Sequence, residues 1–191
     1  MGHDSSRVGL PARGGASSPC PIMMENMRLA HLAIALVIFA PATQAAGTDS
    51  VESLVRAVYD VISGPAGTRD WNRFRSLFAD GARLIPVRVT ADGPAPSVLT
   101  VDDYVKRAGA NFEKSGFYES QIASRVETFG NIAHVFSTYE SRHAADDPKP
   151  FARGINSIQL FNDGARWWVV TIYWDSERPG NEIPPRFLKR P

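Results

Sequence analysis

Cysteine is almost absent from the chain, since Cys20 is the only one among 191 residues. Because it lies near the N-terminus, nothing after it can form a disulfide or a cysteine-based metal site. Long apolar runs are missing too. The run from Leu29 to Phe39 falls short of the about 20 residues that cross a bilayer as a helix. No cysteine follows that run to carry a lipid, so we expect no stable membrane anchor.

A surplus of positive charge is also missing. Lys and Arg together number 21 and Asp and Glu 20, and after residue 45 the two signs balance. Binding of nucleic acid needs basic residues that neutralise phosphates, so we expect no such partner. No phosphate-binding loop, nucleophile elbow or paired-histidine helix motif occurs. His143, Asp146 and Asp147 share one polar loop without further ligands, and we expect neither a metal nor a cofactor.

The first 45 residues differ from the rest in composition. Residues 1–26 are rich in Gly, Ser and Pro, and we interpret them as a disordered segment translated from a start codon set too early. Met27 and Arg28 then precede the apolar run, and small residues at 41–45 follow it, a pattern typical of a signal peptide. We therefore expect a signal peptide over residues 27–45 and a periplasmic or secreted protein.

Residues 46–191 indicate a single domain with a core over 49–177 and an extended C-terminal tail. Apolar residues recur at helical spacing in three segments, which begin near Asp49, Asp70 and Thr100. Alternating segments follow, with hairpin turns at 130–131 and 162–164. Helices followed by a long run of antiparallel strands predict an α+β fold.

Two stretches carry a resemblance to a known family. The stretch FADGARLIPV joins a short helix to the first strand, and GINSIQLFNDGARWWVVTIYWDSE forms the last hairpin. Over residues 49–177 this order resembles the nuclear transport factor 2-like superfamily, especially its SnoaL-like branch. The resemblance implies a cone-shaped, curved antiparallel sheet wrapped around three N-terminal helices, the cystatin-like α+β barrel, with a pocket between them. It leaves the reaction, and whether there is one, unassigned.

Ketosteroid isomerase, in the same superfamily, offers the sharpest comparison with an enzyme. Tyr59 matches its tyrosine, which donates a hydrogen bond to an oxyanion. Its general-base aspartate matches Ile85 here, and its protonated aspartate matches Ser157. Two of the three catalytic positions therefore hold residues that cannot replace an aspartate, which argues against steroid isomerisation.

The match of Ser157 also assigns faces to the strands, because side chains alternate along a strand. With Ser157 inward, we expect Arg153 and Gln159 inward, and on neighbouring strands His134, Phe136, Glu140, Trp168 and Trp174. The predicted ligand-binding set is Tyr59, Trp71, His134, Phe136, Glu140, Arg153, Ser157, Gln159, Trp168 and Trp174. Two alternatives stay open: Glu140 pairs with Arg153 across the ladder, or His134 is a hydrogen-bonded core histidine.

Two classes of function fit these residues. The first is an exported, non-catalytic domain that binds a small, mostly apolar ligand in the cone. The second is a cofactor-free isomerase, cyclase or dehydratase, with Tyr59 as hydrogen-bond donor and Glu140 or His134 as proton carrier.

The opposite sheet face predicts a homodimer, because it would carry a large apolar patch that no helix covers. The patch consists of Val135, Tyr139, Ile158, Leu160, Trp167, Val169 and Tyr173. In the alternative, Ile183, Phe187 and Leu188 of the tail fold back and cover it within one chain.

Overall fold

The computed structural model describes residues 47–189, so the predicted upstream segment and signal peptide lie outside the described residues. Within this range the helices are α1 (Val51–Ile62), α2 (Trp71–Arg75) and α3 (Val101–Phe112). The strands are β1 (Phe78–Thr90), β2 (Gly93–Pro96), β3 (Leu99–Thr100), β4 (Tyr118–Phe129), β5 (Ile132–Arg142), β6 (Ala152–Asn162) and β7 (Trp167–Ser176). A short 3-10 helix, Pro185–Phe187, lies in the tail. No helix among residues 47–189 is long and apolar enough to cross a membrane.

Side-chain caps fix where the two longer helices begin. Ser50 caps α1 and exchanges hydrogen bonds with Ser53, one residue later than the Asp49 start that the sequence predicts. Thr100 and Asp103 form the predicted reciprocal cap of α3. Such caps satisfy amide groups that the first helical turn leaves unpaired.

The strands form one curved sheet in the order β2-β1-β7-β6-β5-β4, with β3 also paired to β1. The α+β fold that the sequence predicts is confirmed. The pairings are antiparallel except that β1 runs parallel to β7, so the sheet is mixed rather than wholly antiparallel. The core lies between the helices and the inner face of the sheet.

The predicted faces of β5 and β6 are wrong. Val135 and Tyr139 of β5 and Ile158 and Leu160 of β6 are buried in the core beneath the helices. Because side chains alternate, His134, Phe136 and Glu140 of β5 lie on the outer face, together with Arg153, Ser157 and Gln159 of β6. The error comes from assigning the faces with Ser157 inward, because Asn156, and not Ser157, faces the helices.

The predicted faces of β7 are right only after residue 170, because the strand contains a bulge there. Leu160 pairs with Val169 but Gln159 pairs with Thr171, so Val170 is an extra residue. An extra residue reverses the alternation. Trp174 therefore faces the helices as predicted, whereas Trp168 and Val170 face outward. The proposed outer patch is thus mostly core: of its members only Tyr173 is exposed.

The C-terminal tail covers part of the outer face. Phe187 packs against Phe136 at 4.9 Å between ring centroids, and Thr138 Oγ1 donates a 2.6 Å hydrogen bond to the Phe187 carbonyl. Ile183 is buried, whereas Leu188 is 40% exposed. The tail therefore covers β5 in the way the alternative describes, but over different residues of the sheet.

Candidate functional site

A cavity of about 260 Å³ lies between the helices and the inner face of the sheet. Its walls are mostly aromatic and aliphatic, which is typical of a small-molecule site. The lining side chains come from α1, α2, α3, β1, β4–β7 and the segments just before β4 and β6. They include Tyr59, Phe74, Tyr104, Phe112, Phe117, Glu119, Tyr139, Ser141, Phe151, Asn156 and Trp174.

Glu119 forms the polar end of this cavity. It is the second residue of β4, where pairing with Ser141 of β5 turns both side chains toward the helices. Ser141 Oγ donates a 2.9 Å hydrogen bond to Glu119 Oε2, and Asn156 Nδ2 lies 3.4 Å from Glu119 Oε1. Each carboxyl oxygen therefore has one neutral donor.

Tyr59 joins this carboxyl to a longer chain of hydrogen bonds. The helical spacing of α1 puts Tyr59 on its buried face, where its hydroxyl accepts a 3.0 Å bond from Asn156 Nδ2 and lies 2.7 Å from Ser137 Oγ. Gln121 Nε2 donates to Ser137 Oγ at 2.7 Å. Neutral groups alone thus connect Tyr59 and Glu119.

Burial sets the protonation of these groups. Removal from water raises the pKa of Glu119 to about 7, although the bonds from Ser141 and Asn156 lower it. The same cause, with a smaller contribution from the charge of Glu119, raises the pKa of Tyr59 and Tyr104 well above the ordinary value. Burial also raises the pKa of Tyr139 to about 12. At neutral pH the tyrosines are protonated, while Glu119 exists in both forms.

Stacked rings build much of the apolar wall of the cavity. Phe74 stacks on Tyr104 at 5.3 Å between centroids, and Phe112 stacks on Phe117 at 4.7 Å. Trp174 meets Tyr104 edge to face at 6.4 Å. These contacts tie α2, α3 and β7 together and fix the shape of the cavity.

No family model matches the sequence, and no curated protein matches it. Solved structures do. A nuclear transport factor 2-like protein of unknown function from Pseudomonas putida KT2440 is 12% identical with a TM-score of 0.52, over 74% of this chain and 94% of that one. A cystatin-like protein of unknown function from Nostoc punctiforme is 10% identical with a TM-score of 0.51, over 66% and 88%. A provisionally assigned dehydratase of the nuclear transport factor 2-like family from Streptomyces avermitilis is 11% identical with a TM-score of 0.51, over 67% and 94%.

The chain has the nuclear transport factor 2-like fold. This confirms the resemblance seen in the sequence, and at these identities it establishes the fold alone.

The nuclear transport factor 2-like fold brings two of the predicted site residues into the cavity, Tyr59 and Trp174. Trp71 lies behind the wall, stacked on Phe112 at 6.1 Å. Of the three catalytic candidates only Tyr59 lines the cavity.

The other predicted site residues lie on the outer face and do not line the cavity. His134 Nε2 lies 3.0 Å from Ser157 Oγ, and its ring lies 6.0 Å from that of Phe136. Gln159 is exposed beside them. Phe136 and Ser157 border a separate depression of about 280 Å³, which residues 181–184 of the tail also line.

Charged residues of the outer face have partners other than those predicted. Glu140 pairs with Arg142 at 2.7 Å, and Arg153 pairs with Glu177 at 3.2 Å, so the expected Glu140–Arg153 pair does not form. Trp168 Nε1 donates a 2.7 Å bond to Asp163 Oδ2 in the last hairpin turn. Glu140, Arg153 and Trp168 therefore make their contacts outside the cavity.

The sequence interpretation missed Glu119, Asn156 and Ser141. A usable signal was present, because placing the purely aliphatic residues Ile158 and Leu160 inward puts Asn156 inward as well. Pairing across the sheet then brings Ser141 and Glu119 to the same face. Among residues 47–189 no group of three or more His, Cys, Asp or Glu side chains could hold a metal ion.

Proposed function

We propose that the protein binds a small, mostly apolar molecule that carries one polar group. The observation that supports this most directly is the apolar cavity whose polar end is the hydrogen-bonded Glu119 carboxyl. The aromatic wall would cover the apolar part of the molecule. Glu119, Tyr59 and Asn156 would meet its polar group, and these few placed groups would set orientation.

The fit between wall and ligand can be tested by filling the cavity. Ala108 lines it from α3, whereas Ala110 is exposed on the same helix. We expect Ala108→Phe to abolish binding of phenethyl alcohol, a small apolar probe, and Ala110→Phe to leave binding unchanged. Calorimetric titration measures both. Equal binding by the two variants would place the probe elsewhere and contradict the proposal.

The natural ligand can be sought directly. Native mass spectrometry of the protein purified from its own host would detect a retained small molecule as an added mass. That mass should disappear in Ala108→Phe and persist in Ala110→Phe.

Export is part of the same proposal. Its support is the sequence pattern of residues 27–45, a basic start, an apolar run and small residues. An exported binding protein would meet its ligand outside the cytoplasm.

A second function, proton transfer without a cofactor, is favoured by one observation. The pKa of Glu119 lies at about 7, where a carboxyl can both take and return a proton. Glu119 would replace His134 and Glu140 as proton carrier, and Tyr59 would donate a hydrogen bond to a developing oxyanion. The dehydratase of similar fold is compatible with such chemistry but, at 11% identity, does not argue for it.

Deuterium exchange separates binding from proton transfer. Benzylacetone in D₂O should exchange the hydrogens next to its carbonyl, since Glu119 would remove a proton and return a deuteron. We expect NMR to show exchange with the native protein and none with Glu119→Gln. A native protein that binds benzylacetone without exchange would support binding alone.

A further inference from the structure

We infer that the polar group of the ligand is a protonated amine, held by the carboxylate of Glu119 against the aromatic wall of the cavity. The inference rests on the proposed function and names the class of ligand that the cavity selects. Its basis is that, among residues 47–189, no cationic side chain pairs with this half-buried carboxyl, which faces an apolar space. A charge that is partly removed from water needs a partner, and here the hydrogen-bond partners are neutral.

The partners of Glu119 leave its charge uncompensated. Ser141 and Asn156 each donate one hydrogen bond, and both are neutral. No ion pair among the described residues includes Glu119. A carboxylate offers about four acceptor positions, so two occupied ones leave room for an ammonium group.

Among residues 47–189 no basic side chain lines the cavity. Besides Glu119, the titratable side chains that line it are Tyr59 from α1, Tyr104 from α3 and Tyr139 from β5, all neutral, while β6 supplies Asn156 and β7 Trp174. A polar groove between α1 and β4 borders the other side of Glu119. The charged side chains that line this groove are Glu52, Arg56 and Asp60. Arg56 thus has acidic neighbours on its own helix.

Aromatic faces add a second attraction for a cation. Tyr104, Phe117 and Trp174 line the same cavity as Glu119, whereas Phe112, which also lines it, is stacked on both Trp71 and Phe117. The face of an aromatic ring is negative, so a desolvated ammonium group is attracted to it. A ligand carboxylate would instead meet the charge of Glu119 with no cation among the described lining residues to offset it.

The cost of removing Glu119 from water is already met when the chain folds. That cost is what raises its pKa to about 7. An ammonium group that enters the cavity loses its own hydration but relieves the uncompensated carboxylate, and it forms a charge-assisted hydrogen bond. A neutral alcohol gains neither effect, so the amine should bind at least about tenfold more tightly.

The sign of the pH dependence distinguishes the amine from a neutral ligand. An amine needs Glu119 ionised and itself protonated, so its affinity should be greatest between about pH 7 and the amine's own pKa, near 10 for an alkyl ammonium group. Affinity should fall below about pH 7, where Glu119 takes up a proton. A ligand that accepts a hydrogen bond from protonated Glu119 would show the opposite trend.

Three probes that share a phenethyl group test the inference: phenethylamine, phenethyl alcohol and 3-phenylpropionate. Calorimetric titration at about pH 8 should rank the amine first, the alcohol at least about tenfold weaker, and the anion undetectable. Glu119→Gln should bind amine and alcohol alike. Glu127→Gln, an exposed glutamate of the same strand, is the matched control and should keep the preference. The pH profile of the native protein needs no variant and applies even if Glu119→Gln fails to fold.

The outcomes separate this inference from the proposed function. Equal affinity for amine and alcohol, a preference that survives in Glu119→Gln, or an amine affinity that rises below about pH 7 overturns the amine class and leaves the binding site standing. Absence of binding by all three probes removes the proposed function along with it. Tightest binding of the anion contradicts the charge argument outright.

Discussion

At the scale of single residues, the site depends on a competition between burial and hydrogen bonding at Glu119. Ser141 and Asn156 stabilise the ionised form, and desolvation opposes them more strongly. Because desolvation outweighs these hydrogen bonds, the ionised Glu119 carboxyl lowers the stability of the folded chain. Such a cost points to a functional role for Glu119 rather than to structural support. Tyr59, whose hydroxyl already accepts a bond from Asn156, holds that amide in place.

The pKa of Glu119 predicts a pH-dependent stability. Its folded value of about 7 exceeds its ordinary value of 4.5, so the folded chain holds this proton more tightly than the unfolded chain. The resulting stabilisation is complete below about pH 4.5 and is lost as the pH rises through about 7. At 1.36 kcal/mol for each tenfold change in proton affinity, the loss is on the order of 3 kcal/mol.

Urea unfolding at about pH 5 and about pH 8 measures this loss. The native protein should lose free energy of unfolding between the two conditions, and Glu119→Gln should lose less by about that amount. Glu127→Gln should behave like the native protein, since its side chain is exposed. If Glu119→Gln keeps the full pH dependence, the titrating group is another one.

At the scale of elements, the sequence predicts the helices and hairpins well but not the faces of the strands. Capping residues mark where α1 and α3 begin, apolar spacing marks their buried faces, and turn residues mark the hairpins. The faces of β5 are ambiguous because both carry apolar groups: Val135 and Tyr139 face the helices, while Phe136 faces the tail. Where both faces of a strand are covered, the alternation of apolar and polar residues does not show which face meets the helices. The bulge at Val170 in β7 likewise has no turn residue to mark it in the sequence.

Packing of β6 against β7 predicts the effect of a small substitution. A Cβ atom on Gly154 would lie 2.5 Å from the hydroxyl oxygen of Tyr139 and closer still to the Asp175 carbonyl. We expect Gly154→Ala to lower the free energy of unfolding by roughly 1–3 kcal/mol, because backbone and ring must both shift.

A double-mutant cycle with Tyr139→Phe identifies the contact. Removing the hydroxyl takes away one of three close atoms, since Cζ of the ring, at 2.7 Å, and the Asp175 carbonyl remain. The double variant should therefore be more stable than the sum of the single effects predicts. Chemical denaturation of the four proteins gives the coupling. Strict additivity would show that the Tyr139 hydroxyl does not resist the added methyl group.

At the scale of the whole molecule, two predictions concern surfaces and processing. The first is export, which rests on residues 27–45. The mature chain should begin at about Ala46, and N-terminal sequencing of protein from the host checks it. A product that retains Leu29 to Phe39 in the cytoplasm would contradict both the signal peptide and the exported role.

The second is the homodimer, which stays a prediction but now needs a different surface. Most residues first assigned to its interface are core, and the tail covers Phe136 and Thr138. The exposed apolar side chains of the outer face include a strip formed by Val170 and Tyr173 of β7, together with Phe161 at the end of β6 and its cross-strand neighbour Ile132 of β5. Trp167 packs against the core.

Trp167 and Tyr173 of β7 should therefore respond differently to a charge. Tyr173→Glu should give folded monomers, because it puts a charge in the exposed strip where a symmetric partner would meet it. Trp167→Glu should instead lower the melting temperature, since its side chain leaves the core packing. Ala110→Glu, on the exposed side of α3, is the matched control and should change neither property. Sedimentation equilibrium of the mature protein at micromolar concentration, run beside thermal melts, decides the case. A native protein that sediments as a monomer contradicts the dimer, and a Tyr173→Glu dimer places the interface on another surface.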